Sequence, residues 1–306
     1  MNFTAKVKQE LFEEIPSSRH CRIAELGGIV TILGRMNKES DNLELFSEND
    51  LVIKKAEKLI KKLFPVDNIG RILYDIKRSG KESGRIVFSE KETEELLKLL
   101  KMNSDLEAKP VLYTLTCCKR AFLRGVFLGA GTLTDPNKDY HFEIACLNEG
   151  CAEELKSLIC GFGIDAKKVV RRSRHVVYVK DSEMISELLS LIGAQVAMME
   201  LENIRILKEV RNHVNRQVNC DSANIRKALA ASQKQMEDIA LIRQENEFEG
   251  LSEDLKETVL LREAYPEATL AELVMYNGDT VGKSGINHRL KKLSEIADKL
   301  RDGRKK

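Results

Sequence analysis

The sequence predicts an α+β protein in which two copies of an α-β-β-α-β-β-α unit are joined to an all-α C-terminal domain. Three observations predict it. A helical pattern rich in small residues occurs twice, offset by 97 positions; the residues after each copy keep step; and the chain beyond Ala194 reads as helix.

Taken in order, the chain starts with MNFTAKVKQELFEEI, an amphipathic, charged helix rather than a signal peptide. Leu26 then opens LGGIVTILG, and Leu123 opens LRGVFLGAG within Phe122 to Gly131. Glycine stands at the third place of each nine-residue frame (Gly28, Gly125) and again at the ninth (Gly34, Gly131). The plainer alternative is a buried helix stopped by glycine, since glycine is common at helix ends. The repeat argues for more than that. Asn42-Leu43-Glu44-Leu45 parallels Asp139-Tyr140-His141-Phe142 at the same offset of 97, and Glu95 to Leu100 parallels Glu187 to Ile192 at an offset of 92, as a change in loop length would produce.

In the first copy an extended run at Leu43 to Phe46 precedes a helix from about Asn49 to Phe64, with apolar residues at Leu51, Val52, Ala56, Leu59, Ile60 and Leu63. Ile72, Tyr74 and Ile76 alternate with Leu73, Asp75 and Lys77, Arg85 to Phe88 is rich in strand formers, and Glu90 to Leu100 closes the half as a helix. The second copy repeats the order: strand Tyr140 to Cys146, helix Glu149 to Cys160, strands Lys168 to Arg172 and Val176 to Lys180, and helix Ser182 to Ile192.

The nine-residue frame resembles the LAGLIDADG motif, in which a helix from each half-domain crosses its partner at close range. The eighth place of that motif is normally an acid that holds a catalytic Mg²⁺. Here it is Leu33 in one copy and Ala130 in the other. Neither offers the oxygen a hard cation requires. Glu39, Asp41 and Asp135 lie beyond the motif ends and read as loop residues, and no close carboxylate pair suits two-metal cleavage. The expectation is a scaffold without nuclease activity, with an active site-specific endonuclease as the disfavoured alternative.

Composition agrees. A chain of 306 residues suits two domains, and 42% hydrophobic with 5% aromatic residues fits an aliphatic core rather than a stacking platform. No apolar run reaches the roughly 18 residues of a membrane span. Seven cysteines without a C-x-x-C pair, with Cys117 and Cys118 adjacent, argue against a zinc or disulfide framework. His20, His141, His175, His213 and His288 are scattered without metal spacing. The expectation is therefore no cofactor, no metal and a reduced cytoplasmic protein.

From Ala194 to Glu249 there is neither Gly nor Pro, so helix should dominate, broken near Asn219-Cys220-Asp221-Ser222, where Asp221 or Ser222 can cap a new helix. Between Leu251 and Leu300 three helices follow. The first has a stripe of Leu255, Val259, Leu260 and Ala264 and ends at Pro266. Thr269-Leu270-Ala271-Glu272 is a capping box that starts the second, whose Leu270, Leu273 and Val274 face inward. After a turn at Asn277-Gly278, Ser284 can cap the third, with a stripe of Ile286, Leu290, Leu293 and Ala297. Two amphipathic helices around a turn form a helix-turn-helix, here with a loop longer than the tightest form.

The opposite face of the last helix presents Ser284, His288, Lys291 and Lys292, with Asn287 and Arg289 on its flanks. Such side chains read base edges or meet phosphates. From Lys283 to Lys306 nine Lys or Arg face three acids, a local balance of +6 in a chain of net +2, the footprint of a DNA-binding module; a solvated basic face is the alternative. On the preceding helix Arg211, Asn212, Asn215 and Arg216 share one side, as a DNA contact or an interdomain lock. Lys167, Lys168, Arg171, Arg172 and Arg174, with Lys77 and Arg78 in the first half, suit either duplex contact or a wet strand face.

Together the chain resembles the WhiA family of bacterial regulators over nearly its whole length. The telling strings are Cys117-Cys118-Lys119-Arg120 before FLRGVFLGAG, Arg211 to Arg216 leading to Val218-Asn219-Cys220, and Lys283-Ser284-Gly285-Ile286-Asn287-His288-Arg289-Leu290. The resemblance implies a non-cleaving LAGLIDADG-like domain over residues 1–197 (pseudo-repeats about 19–104 and 117–193), a linking helix over 198–220 and a helix-turn-helix domain over 221–306. It implies a nucleoid-associated regulator of transcription that binds double-stranded DNA, tied to cell division, chromosome segregation and, in spore formers, sporulation. The proposed DNA-binding residues are Lys283, Ser284, Asn287, His288, Arg289, Lys291, Lys292, Arg211 and Arg216. An adaptor that binds the transcription machinery or another regulator is the alternative; no membrane partner is expected.

Overall fold

The computed structural model describes residues 2–37, 40–64, 70–76 and 82–303, so Glu39, Lys77, Arg78, Arg304, Lys305 and Lys306 lie outside the described residues. The chain divides into two compact units, Met1–Lys208 and Glu209–Lys306.

In the first unit α1 (Phe3–Glu13) precedes two similar halves. The first half is α2 (Arg19–Leu33), β1 (Gly34–Asn37), β2 (Asn42–Ser47), α3 (Asp50–Leu63), β3 (Arg71–Ile76), β4 (Glu82–Val87) and α4 (Glu90–Leu100). The second is α5 (Thr116–Ala130), β5 (Gly131–Leu133), β6 (Phe142–Cys146), α6 (Glu149–Cys160), β7 (Lys167–Arg171), β8 (Arg174–Val179) and α7 (Ser182–Ile192). The strands form two antiparallel sheets of matching order, β1-β2-β4-β3 and β5-β6-β8-β7. Leu45 opposes Ile86 and Ile144 opposes Val177, which puts Leu43, Leu45, Phe142 and Ile144 in the core. Side-chain alternation makes that register the one that buries them. β1 and β5 are too short to show such a pattern in sequence.

Local chemistry sets the helix starts. The Asn49 and Asn148 side chains accept from the N–H groups of Leu51 and Cys151, Asp181 accepts from Glu183 and Met184, and Ser89 with Glu92 forms a capping box.

The two motif helices meet along a glycine seam. A methyl group added at Gly28 would overlap the Phe122 carbonyl of α5, and one at Gly125 would overlap the Glu25 carbonyl of α2. Glu25 and Phe122 are themselves equivalent positions of the repeat, so the clash is reciprocal and the seam has local pseudo-twofold symmetry. The ninth-place glycines are not left-handed stops: Gly34 has φ −67° and Gly131 φ −71°. Space is what excludes a side chain there, because Val30 and Leu106 crowd Gly34 and the Phe127 ring crowds Gly131.

Charges are buried beside the seam. Glu25 is fully buried, 3.0 Å from Lys55 Nζ and 3.3 Å from Arg124 Nη1. Arg124 also reaches Glu14 at 2.8 Å, and Lys55 donates to the carbonyls of Leu11 and Glu14. Burial pushes the Glu25 carboxyl up from its ordinary value, and the Lys55 and Arg124 charges oppose it. Periodicity alone marked neither Glu25 nor Lys55 as core.

At the N-terminal ends of α2 and α5, His20 and Cys21 meet Cys117 and Cys118, with all four ligand atoms within 4.8 Å of one another. This corrects the expectation that cysteines and histidines lack metal spacing. Ligand spacing counted along one segment misses a set assembled from two segments of a repeat.

In the second unit the helix α8 (Gln195–Gln244), whose earlier part belongs to the first unit, is followed by α9 (Glu253–Ala264), α10 (Leu270–Tyr276) and α11 (Lys283–Gly303). α8 runs unbroken through Asn219 to Ser222. Without Gly or Pro, these polar residues cost a helix only a few tenths of a kcal/mol each, too little to end it (about 0.7 kcal/mol at most). Ile239, Ile242, Leu255, Val259, Leu273, Ile286, Leu290, Leu293 and Ala297 form the core of this unit. On α9 the stripe is rotated from the expected one: Leu260 and Ala264 are exposed, while Thr258 and Arg262 are buried. Arg262 is accommodated because Nη1 donates to the Ala268 carbonyl at 2.6 Å and the Tyr265 carbonyl at 3.4 Å.

Candidate nucleic-acid interface

α10 starts at a capping box, in which the Thr269 hydroxyl accepts from the Glu272 N–H and the Glu272 carboxylate accepts from the Thr269 N–H at 2.7 Å. That hydrogen bond holds the Glu272 carboxyl below its ordinary value. The turn after α10 has two left-handed residues, Gly278 and Asp279, before α11 begins at Lys283. The Gly282 carbonyl accepts from the N–H groups of Gly285 and Ile286. Helix therefore starts two residues earlier than a Ser284 cap would give, and Ser284 lies inside the first turn instead of capping it.

Ile286, Leu290, Leu293 and Ala297 anchor α11, which leaves Lys283, Ser284, Asn287, His288, Lys291 and Lys292 exposed. Spacings of three and four place Ser284, Asn287, His288 and Lys291 along one face. Arg289 differs from these residues. Its side chain is only 18% exposed and pairs with Asp254 at 3.3 Å and Glu257 at 3.2 Å, so it joins α11 to α9. Arg301 is also engaged, by buried Asp238 at 2.6 Å and Asp298 at 2.7 Å. Among the described residues of α11, Lys283, Lys291, Lys292 and Lys299 are the exposed cations without an ion pair.

Arg211, Asn212, Asn215 and Arg216 are all exposed on α8 and enter no hydrogen bond or ion pair among the described residues. The sheet cations differ. Lys167 pairs with Asp165, Lys168 with Glu149 and Glu153, and Arg171 with Glu143, while Arg172 and Arg174 stand exposed at the β7–β8 turn.

At the other motif ends, Leu33 and Ala130 are the last residues of α2 and α5. Asp135 is exposed and accepts from the Asn137 N–H at 2.9 Å, and Asp41 sits in a left-handed turn.

Relatives settle the lineage. A "Probable cell division protein WhiA" from Lachnoclostridium phytofermentans is 41% identical over 314 residues, covering 98% of this chain and 100% of that protein. The chain belongs to the WhiA family. WhiA relatives of the same description in Lachnospira eligens and Clostridium novyi are 38% and 36% identical and cover 98% of the chain. The family model for the WhiA LAGLIDADG-like domain matches residues 119–211, and that for the WhiA C-terminal HTH domain matches residues 214–297. Full-length WhiA from Thermotoga maritima shares 26% identity and superposes with a TM-score of 0.61, covering 98% of this chain and 99% of that one. The WhiA helix-turn-helix match includes α10, the turn and most of α11.

Proposed function

We propose that this chain is a sequence-specific DNA-binding transcriptional regulator of bacterial cell division, acting also in chromosome segregation and, in spore-forming lineages, sporulation. α11 reads the major groove with Ser284, Asn287 and His288, and Lys283, Lys291 and Lys292 meet phosphates. Arg211 and Arg216 extend the footprint along α8. The observation that carries this reading is the division of α11 into a buried aliphatic stripe and an exposed face whose lysines are not engaged by acids. The LAGLIDADG-like unit does not cleave, because Leu33 and Ala130 stand where the motif needs oxygen ligands.

Genomic fragments recovered by crosslinking supply the ligand for the test. Affinity of the full chain should fall steeply with salt, and Lys291→Ala with Lys292→Ala should lower the magnitude of the salt slope by about 2 while weakening all sequences. An unchanged slope and affinity in the double variant would remove α11 from the interface. Incubation with supercoiled DNA and Mg²⁺ should leave the DNA intact; discrete products would establish an endonuclease instead.

A further inference from the structure

The second and third residues of each motif helix carry metal-binding side chains: His20 and Cys21 in α2, Cys117 and Cys118 in α5. They are equivalent places of the repeat, related by the offset of 97 that relates Gly28 to Gly125. The pseudo-twofold that brings the glycines together also brings these dipeptides together. His20 Nδ1 lies 3.2 Å from Cys118 Sγ, 3.3 Å from Cys21 Sγ and 3.9 Å from Cys117 Sγ. A tetrahedral Zn²⁺ with ordinary bond lengths needs its ligand atoms roughly 3.5–3.8 Å apart. The observed separations bracket that range.

We propose that His20, Cys21, Cys117 and Cys118 bind one structural Zn²⁺ in a Cys₃His site that staples the N-terminal ends of the two motif helices together.

The donor set suits this ion. Three sulfurs and an imidazole select zinc over the hard cations, and four protein ligands close the site to substrate. An iron–sulfur cluster would hold its cysteines farther apart, around several irons. Cys21 and Cys118 are buried, whereas His20 and Cys117 are exposed, so an ion can enter from solvent without opening the core. Neither Ser18 nor Leu115 caps its helix through a side chain. The first N–H groups of both helices therefore have no side-chain acceptor from the cap residue. Binding releases three protons from the thiols and leaves the Zn(Cys)₃(His) unit with a single negative charge. The site is not the cleavage site of the motif: Gly34 lies thirteen positions beyond Cys21, roughly 20 Å at the rise of a helix.

None of the four residues is among the proposed DNA contacts. Full-length protein purified under reducing conditions with added zinc should hold one equivalent of zinc by elemental analysis. Cobalt in its place should give thiolate-to-cobalt charge transfer and the intense visible bands of a tetrahedral ion. Cys117→Ser and His20→Asn alter exposed side chains and so keep the fold; both should lose the metal or bind it at least tenfold more weakly. Cys220→Ser, remote in sequence and exposed, should retain it. A chelator should lower the melting midpoint of the parent chain and leave that of Cys117→Ser unchanged. Reduced parent protein without tight zinc, an octahedral cobalt spectrum, or a spectrum insensitive to Cys117→Ser would overturn the site. So would a disulfide among Cys21, Cys117 and Cys118 in protein isolated anaerobically.

Discussion

Gly28 and Gly125 are required by space, since the atom each would contact is backbone of the opposing helix and cannot rotate away. Gly28→Ala must push α2 and α5 apart, and should destabilise the first unit by about 2–3 kcal/mol in urea unfolding. Gly150→Ala in α6 meets only ordinary contact and should be neutral or stabilising by up to about 1 kcal/mol. Equal effects at both places would show that the seam is looser than described. Glu25 presents the corresponding case for charge. Its loss leaves Lys55 and Arg124 facing one another in the core, with Glu14 as the remaining acid. Glu25→Ala should cost about 3–5 kcal/mol, measured by denaturant midpoint, whereas a cost below that of an ordinary surface substitution would mean that water reaches the pair.

Within the helix-turn-helix, α10 is a helix of seven residues and depends on its start. Thr269→Ala removes the hydroxyl that accepts from the Glu272 N–H and should cost about 1 kcal/mol, read as a lower melting midpoint of the second unit. The Glu272 half of the box adds a pH dependence. Its carboxyl is held low in the fold, so its stabilisation is present above the unfolded value and is lost as pH falls through the folded one. Glu272→Gln should flatten the acid limb of the stability profile; an identical limb would show that the carboxylate bond is absent in solution. α11 makes a related point. Arg289 and Lys292 are both cations of one helix, yet the first is drawn to Asp254 and Glu257 and the second is exposed.

Across the whole chain, packing is uneven. Residues from Glu209 to Ala231 of α8 are exposed except for half-buried Ser222, while Ile239 and Ile242 enter the core of the second unit. Helix without tertiary packing is marginal in water. Hydrogen exchange should therefore be fast between Arg211 and Ala230 and slow in α5 and in the last turns of α8, and uniform slow exchange along α8 would require a covering partner. Apart from the short strands β1 and β5, the order of helices and strands, the seam glycines and the aliphatic stripe of α11 were legible in the chain, because each is written in a period or a repeat that a few neighbouring residues carry. The offset of 97 even held the positions of the histidine–cysteine cluster, though not their convergence. What required the packed structure was partnership. Arg289 and Arg301 turned out to be engaged, Arg262 and Glu25 to be buried, α8 to continue through Asp221, and His20, Cys21, Cys117 and Cys118 to converge. Periodicity is settled within a turn or two of backbone, whereas the neighbour of a charge or a ligand atom depends on which distant segments the core brings side by side.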